Sequence, residues 1–273
     1  MRFAARLAYE EHGGGGEIPP LVFVHGAGGS RLHWPPGLRR LSGISCLALD
    51  LAGHGQSSDE GEVSIDDHVR RLDEWRCELG LERAFLAGHS MGSAVVLMAA
   101  LDTPEWVAGT ALLGAGARLP VNPQLLEGIA DPATFVETVE RIVGWSFGRQ
   151  APPRSVELAR RRMIETGPAV LHRDFLACSV FDVRARLGDL RLPTVVVSGA
   201  EDRMTPAALG EELARSIPDA RRVVIEGAGH MVMLEKPAEV EAALRGMLLR
   251  SEAAPSLSPG PRPREGRPRM KQE

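Results

Sequence analysis

Aromatic side chains are scarce in this chain. They make up 4% of its 273 residues, so there is little stacking surface for single-stranded nucleic acid. An excess of basic charge is missing as well. The formal net charge is −4, which argues against a polyanionic partner, so no nucleic acid is expected. No apolar run approaches the ~18 residues that a membrane span requires. The N-terminal Met1-Arg2-Phe3-Ala4-Ala5-Arg6 leads directly into strand-like sequence without the apolar core of a signal peptide. There are only three cysteines, Cys46, Cys77 and Cys178, widely spaced and in apolar surroundings. They read as reduced core residues of a cytoplasmic protein. None stands in a CxxC pattern, and no HxxxH or HxH spacing occurs among the eight histidines, so no metal is expected.

What is present is a core-forming chain. At 44% hydrophobic, 273 residues are enough for one domain with an inserted subdomain. Short β runs alternate with helical stretches, which predicts a mostly parallel sheet covered on both faces. Strands are expected at 6–10, 21–25, 45–50, 84–88, 110–114, 194–198 and 222–225. Helices are expected at 65–80, 90–102, 206–216 and 237–249. Gly13-Gly14-Gly15-Gly16 reads as a hairpin-type loop; no helix follows it, so it is not a phosphate cradle. Between Arg118 and Leu187 the βα rhythm stops and four or five helical segments follow one another, clearest at 134–147, 153–166 and 169–180. From Ser251 to Glu273 prolines and arginines dominate, a composition that cannot build a packed element and is expected to be a disordered tail.

The chemistry concentrates at Gly88-His89-Ser90-Met91-Gly92. G-x-S-x-G between an apolar run (Ala84-Phe85-Leu86-Ala87) and a small-residue helix is a nucleophile elbow. The turn strains the serine backbone, and the glycines allow strand and helix to approach closely. Ser90 is thereby set beside a helix N-terminus, where developing negative charge is favoured. Such a serine needs a base and a group to orient that base. Asp202, after the buried run Thr194–Ser198, and His230, on a glycine-flanked loop after the next run, follow in that order. The loop one strand earlier, Gly114-Ala115-Gly116-Ala117, carries no carboxylate to rival Asp202, and Glu201 reads as a solvated neighbour.

These residues resemble the α/β-hydrolase fold family over nearly all of residues 3–250. Two more segments carry the likeness: Leu21-Val22-Phe23-Val24-His25-Gly26-Ala27-Gly28-Gly29-Ser30, with Trp34, is similar to the family's strand and oxyanion loop, and Asp50-Leu51-Ala52-Gly53-His54-Gly55-Gln56-Ser57 to the turn after the next strand. Ser93 stands where many relatives have a third glycine. The resemblance implies an α/β sheet of about eight strands flanked by helices, with a main domain at 1–117 and 188–250 and an all-helical cap at 118–187. It also implies oxyanion donors at the backbone N–H of Ala27 and Met91, each worth on the order of 3–4 kcal/mol in the transition state.

The expected activity is that of a cofactor-free serine hydrolase acting on a small to medium carboxylic ester. Alternatives with the same Ser90, His230 and Asp202 are hydrolysis of a carbon–carbon bond in a vinylogous diketone, of an enol-lactone or of a thioester; a non-catalytic ligand-binding protein on the same scaffold is the remaining reading. Trp34, His89, Trp145, Phe147, Phe175 and Met231 are the expected substrate-binding residues. Apolar cap positions such as Leu126 and Phe181 either line an acyl pocket or hold the cap down. Of Arg160-Arg161-Arg162, one faces inward by helical spacing or the run is a solvated face. Asp50, His25 and His54 read as turn-stabilising. The partner is a small-molecule substrate, and the protein a monomer or homodimer.

Overall fold

The computed structural model describes residues 1–14, 18–57 and 61–253. Its centre is an eight-stranded sheet made of β1 (Arg2–Ala4), β2 (Leu7–His12), β3 (Leu21–Val24), β4 (Cys46–Leu49), β5 (Ala84–His89), β6 (Val107–Leu113), β7 (Thr194–Gly199) and β8 (Arg221–Ile225). The spatial order is β1-β2-β4-β3-β5-β6-β7-β8. β1 and β2 pair antiparallel, β2 runs antiparallel to β4, and the remaining pairs are parallel. The helices are α1 (Pro36–Arg39), α2 (Ile65–Glu78), α3 (Met91–Asp102), α4 (Pro123–Ala130), α5 (Phe135–Ser146), α6 (Pro153–Thr166), α7 (Pro168–Val180), α8 (Ala207–Ser216), α9 (Val232–Glu235) and α10 (Pro237–Ala253).

The central strands β3–β7 are buried throughout because helices cover both faces of the sheet. Alternation then sorts their side chains. Val22, Val24, Leu86 and Leu112 join one core with α2 and α3. Leu21, Phe23, Phe85 and Leu113 join the other, shared with α10 and with Leu125, Ile142, Met163 and Phe175 of the inserted helices. The four helices α4–α7 therefore complete a core of the sheet. Strand order reverses between β3 and β5: from β3 the chain steps outward to β4, and from β5 it builds in the other direction. The crevice beyond the carboxyl ends of those two strands is where open α/β sheets place their ligand sites.

Three expectations need correction. The hairpin is not at the glycine run, of which Gly15 and Gly16 lie outside the described residues. It joins β1 to β2 through Ala5 (φ 43) and Arg6 (φ 66), a pair of left-handed residues of the kind that a tight two-residue turn demands. Cys77 is exposed, whereas Cys46 and Cys178 are buried, because Cys77 falls on the polar face of the amphipathic α2. Helix α10 runs through Ala253, three residues into the stretch expected to be unstructured; residues 254–273 lie outside the described residues. No described helix is long and apolar enough to cross a membrane.

Candidate active site

The turn from β5 into α3 leaves Ser90 at φ 54, ψ −119, a conformation that L-residues adopt only where the surroundings impose it. What imposes it is crowding. A Cβ on Gly88 would sit 2.3 Å from the Gly92 carbonyl oxygen, and one on Gly92 2.4 Å from the oxygens of Val24 and His25. The Ser90 N–H donates to Leu113 O at 2.9 Å, and the Ser93 hydroxyl donates to Ser90 O at 2.6 Å. Ser93 thus adds a bond to the elbow where a third glycine would add none.

Asp202 and His230 meet. Asp202 follows β7 and accepts His230 Nδ1 at 2.9 Å on Oδ2. Its other oxygen accepts the N–H groups of Met204 and Thr205, each at 2.8 Å, and the Thr205 hydroxyl donates to Oδ2 at 2.8 Å. Burial opposes the charge on Asp202, but the His230 ring and the Thr205 donors outweigh it and hold the carboxyl below its usual pKa. With Nδ1–H committed to a carboxylate, His230 carries its free lone pair on Nε2.

The histidine loop is wedged in place. Glu235 accepts Gly148 N–H at 2.8 Å and Gly229 N–H at 3.0 Å. A Cβ on Gly229 would fall 2.5 Å from Gly148 N. His89, one residue before Ser90, donates Nε2–H to His230 O at 3.0 Å, and the two rings lie 4.6 Å apart between centroids. Among the described residues the Ser90 hydroxyl itself makes no hydrogen bond.

The loop after β3 faces the elbow. His25 donates Nδ1–H to Gly26 O at 2.8 Å and accepts Leu51 N–H on Nε2 at 2.9 Å, so burial keeps it neutral, its pKa far below the usual histidine value. The backbone N–H groups of Ala27 and Met91 donate to no group among the described residues. Ala27 and Ser90 line one cavity of about 140 Å3 with Leu119, Val121, Leu125, Trp145, Phe175, Cys178, Arg203, Met204 and Thr205.

A family model of the alpha/beta hydrolase fold matches residues 19–237. The chain belongs to the α/β-hydrolase fold family. It is 32% identical over 257 residues to the dihydrolipoyllysine-residue acetyltransferase component of the acetoin cleaving system of Pseudomonas putida, covering 89% of this chain and 66% of that protein. It is 28% identical to the (E)-2-((N-methylformamido)methylene)succinate hydrolase of Acinetobacter baylyi, covering 85% of this chain and 91% of the relative. A solved thermophilic esterase superposes with a TM-score of 0.78 at 32% identity, covering 90% of this chain and 94% of the other.

Within this α/β-hydrolase, two of the six expected substrate-binding residues, Trp145 and Phe175, line the cavity. The other four do not. Trp34 is fully buried and packs on Phe23, ring centroids 4.8 Å apart, because its loop folds back onto the sheet. His89 lies beneath the elbow against His230 and not in the pocket. Phe147 and Met231 are buried in the second core, where the Met231 N–H donates to Ser146 O at 3.1 Å. Leu125, not Leu126, reaches the cavity, and Phe181 belongs to the first core. Arg160 and Arg161 pair with Glu157 and Glu165, while Arg162 is half-buried and donates to Leu32 O at 3.2 Å; none of the three lines the cavity. Glu201, expected to be solvated, accepts Arg149 N–H at 2.8 Å. Asp50 holds its turn through Arg31 N–H (2.7 Å) and Gln56 N–H (2.9 Å). Thr205 and Glu235 were not anticipated; the Asp-x-x-Thr spacing, a local side-chain-to-backbone turn signature, is the signal that points to Thr205.

Proposed function

We propose that this chain is a serine esterase acting through Ser90, His230 and Asp202. Ser90 Oγ attacks the ester carbonyl while its proton passes to His230 Nε2. The oxygen that gains charge is held by the N–H groups of Ala27 and Met91, the latter at the N-terminus of α3, where the helix dipole favours an anion. The intermediate collapses, and the alcohol leaves with the proton from Nε2. Water then gives a proton to Nε2, attacks the acyl-serine and releases the carboxylic acid, restoring the Ser90 hydroxyl. Asp202 holds the ring in the tautomer that this requires and stabilises its cation. The hydroxyl-to-Nε2 hydrogen bond is made in the substrate complex, where such contacts tighten.

One observation carries the reading. Ser90, in its strained turn, opens onto the same cavity as Ala27 and as Thr205, which is hydrogen-bonded to Asp202. The helices α4–α7 act as a cap, supplying Leu125, Trp145, Phe175 and Cys178 as an apolar wall. A volume of about 140 Å3 is close to that of a cavity which encloses benzene, so an acyl group of about four to six carbons fits. A panel of p-nitrophenyl esters tests this: turnover should peak at butyrate to hexanoate and vanish in Ser90→Ala. No turnover of any ester by the wild-type protein refutes it.

Arg203 gives a second reading. It lines the cavity with its guanidinium donating to Gly144 O, and an acyl part bearing a carboxylate, or an acidic enol-lactone or vinylogous diketone, would draw it away from that carbonyl. Faster hydrolysis of a monosuccinate than of a butyrate ester would favour this.

A further inference from the structure

One residue of the loop after β3 is gripped from three sides by the inserted helices. Gly28 follows Ala27 directly and sits at φ +62. Its N–H donates to Asp174 Oδ2 of α7 at 2.8 Å. Its carbonyl lies 3.3 Å from the Thr166 hydroxyl of α6, which shares its one proton with Arg162 O at 3.1 Å. A Cβ at Gly28 would lie 2.8 Å from Leu171 Cδ1 and 2.9 Å from Met163 Cγ, so the side chains of both helices close on its α-carbon.

Asp174 is 1% exposed, and the same Oδ2 also accepts His54 Nε2 at 2.8 Å. His54 Nδ1 faces Ala52 O at 2.9 Å. Two acceptors on two ring nitrogens require both to carry protons. Burial works against that charge, but Asp174 outweighs it and raises the His54 pKa. The carboxylate is therefore charge-compensated, and its position is set by the turn after β4 as well as by α7. The Gly28 N–H shares a peptide plane with the Ala27 carbonyl, and the Ala27 N–H lies one φ/ψ pair away. Anchoring the first restricts the direction of the second.

We propose that Asp174 is a positioning residue for the oxyanion hole: by holding the Gly28 N–H from α7, it aims the Ala27 N–H at the oxygen that forms over Ser90. The inserted helices then complete the catalytic site and do not only roof it. This rests on the roles proposed above for Ser90 and Ala27.

The test compares wild type, Asp174→Ala and Asp174→Asn on p-nitrophenyl butyrate, with active sites counted by fluorophosphonate labelling so that unfolded protein drops out. In Asp174→Ala, kcat per site should fall about 100-fold, the size of effect expected for a misplaced oxyanion donor, with KM changed less than about threefold. Asp174→Asn keeps an oxygen for the Gly28 N–H but loses the ionic bond, and should lose about tenfold. Affinity for a trifluoromethyl ketone, whose serine adduct carries an oxyanion, should fall in step with kcat/KM. A purely structural role would lower thermal stability and the titratable fraction while leaving kcat per site intact. If Asp174→Ala does not fold, Asp174→Asn alone decides. Both folded variants within twofold of wild-type kcat per site would overturn this inference alone; a wild-type protein that neither labels nor turns over esters would overturn the proposed function and this inference with it.

Discussion

Acidification from pH 7 to about pH 5 should destabilise this protein through histidines that its fold keeps neutral. His33 and His68 are buried, and neither ring nitrogen of either residue has a hydrogen-bond partner among the described residues. Burial pushes the His33 pKa down to about 3, helped by the nearby charges of Arg162 and His54. It pushes His68 down to about 4 against the opposing pull of Asp174. In the unfolded chain both return to the ordinary histidine value near 6.5. Between those limits the unfolded state binds more protons, so stability rises with pH and is lost on acidification. By about pH 5 each costs roughly 2 kcal/mol relative to neutrality, about 4 kcal/mol for the pair, against a total stability of about 5–15 kcal/mol.

His25 and His89 are depressed in the same direction by burial and add to the loss. His54, raised by Asp174, has the opposite sign: its contribution is full below about pH 6.5 and fades as pH climbs through its folded value, so it offsets part of the loss. Asp202, held low, keeps its contribution until the pH falls below the ordinary aspartate range near 4. Urea unfolding across pH 5 to 8 reads the sum. The expected result is a midpoint that falls steeply below about pH 6.5, with net proton uptake on unfolding at pH 6 measured calorimetrically in two buffers. A midpoint flat from pH 7 to 5, or no proton uptake, would refute the burial argument.

Thr205→Val removes the hydroxyl bond to Asp202 but keeps both backbone donors; a lost bond to a charged group, about 1.5–3 kcal/mol, predicts a ten- to hundredfold fall in kcat/KM for ester hydrolysis with an intact fold by circular dichroism. Ser90→Gly abolishes turnover and relieves a strain of about 1–3 kcal/mol, partly offset by the entropy of the unfolded glycine, so its thermal midpoint should rise by the equivalent of about 1 kcal/mol; an unchanged or lower midpoint would show that the turn is unstrained. Leu125→Ala enlarges the apolar wall and should move the preferred p-nitrophenyl ester about two carbons longer, read from kcat/KM across the chain-length series, because the cavity gains the volume of a side chain that helps to close it.

Local signals in the chain carried much of this site. G-x-S-x-G between an apolar run and a small-residue helix needs nothing distant to be read, and Asp202 and His230 each sit in the loop after a strand, which places both at one edge of a parallel sheet. What stayed hidden depends on docking. Asp174 is an ordinary helical acid until α7 closes on Gly28, 146 residues away in the chain, and Glu235 gains meaning only when Gly148 arrives beside Gly229. Trp34 and Phe147 are not sorted by sequence, because a large apolar side chain near the elbow has the same pattern whether it faces the pocket or the core beneath it. β1 leaves no legible signal because its three residues, Arg2–Ala4, are too short for a period-2 pattern, and the Ala5-Arg6 turn lacks the Asn-Gly type of pair that marks such turns.

The central claim is that Ser90 is a nucleophile made reactive by His230. It is tested most directly by the rate and site of phosphonylation with a fluorophosphonate, mapped by peptide mass spectrometry. A single adduct on Ser90 is expected, with a labelling rate that drops by orders of magnitude in His230→Ala. An adduct elsewhere, or one on Ser90 that forms equally fast without His230, would contradict it.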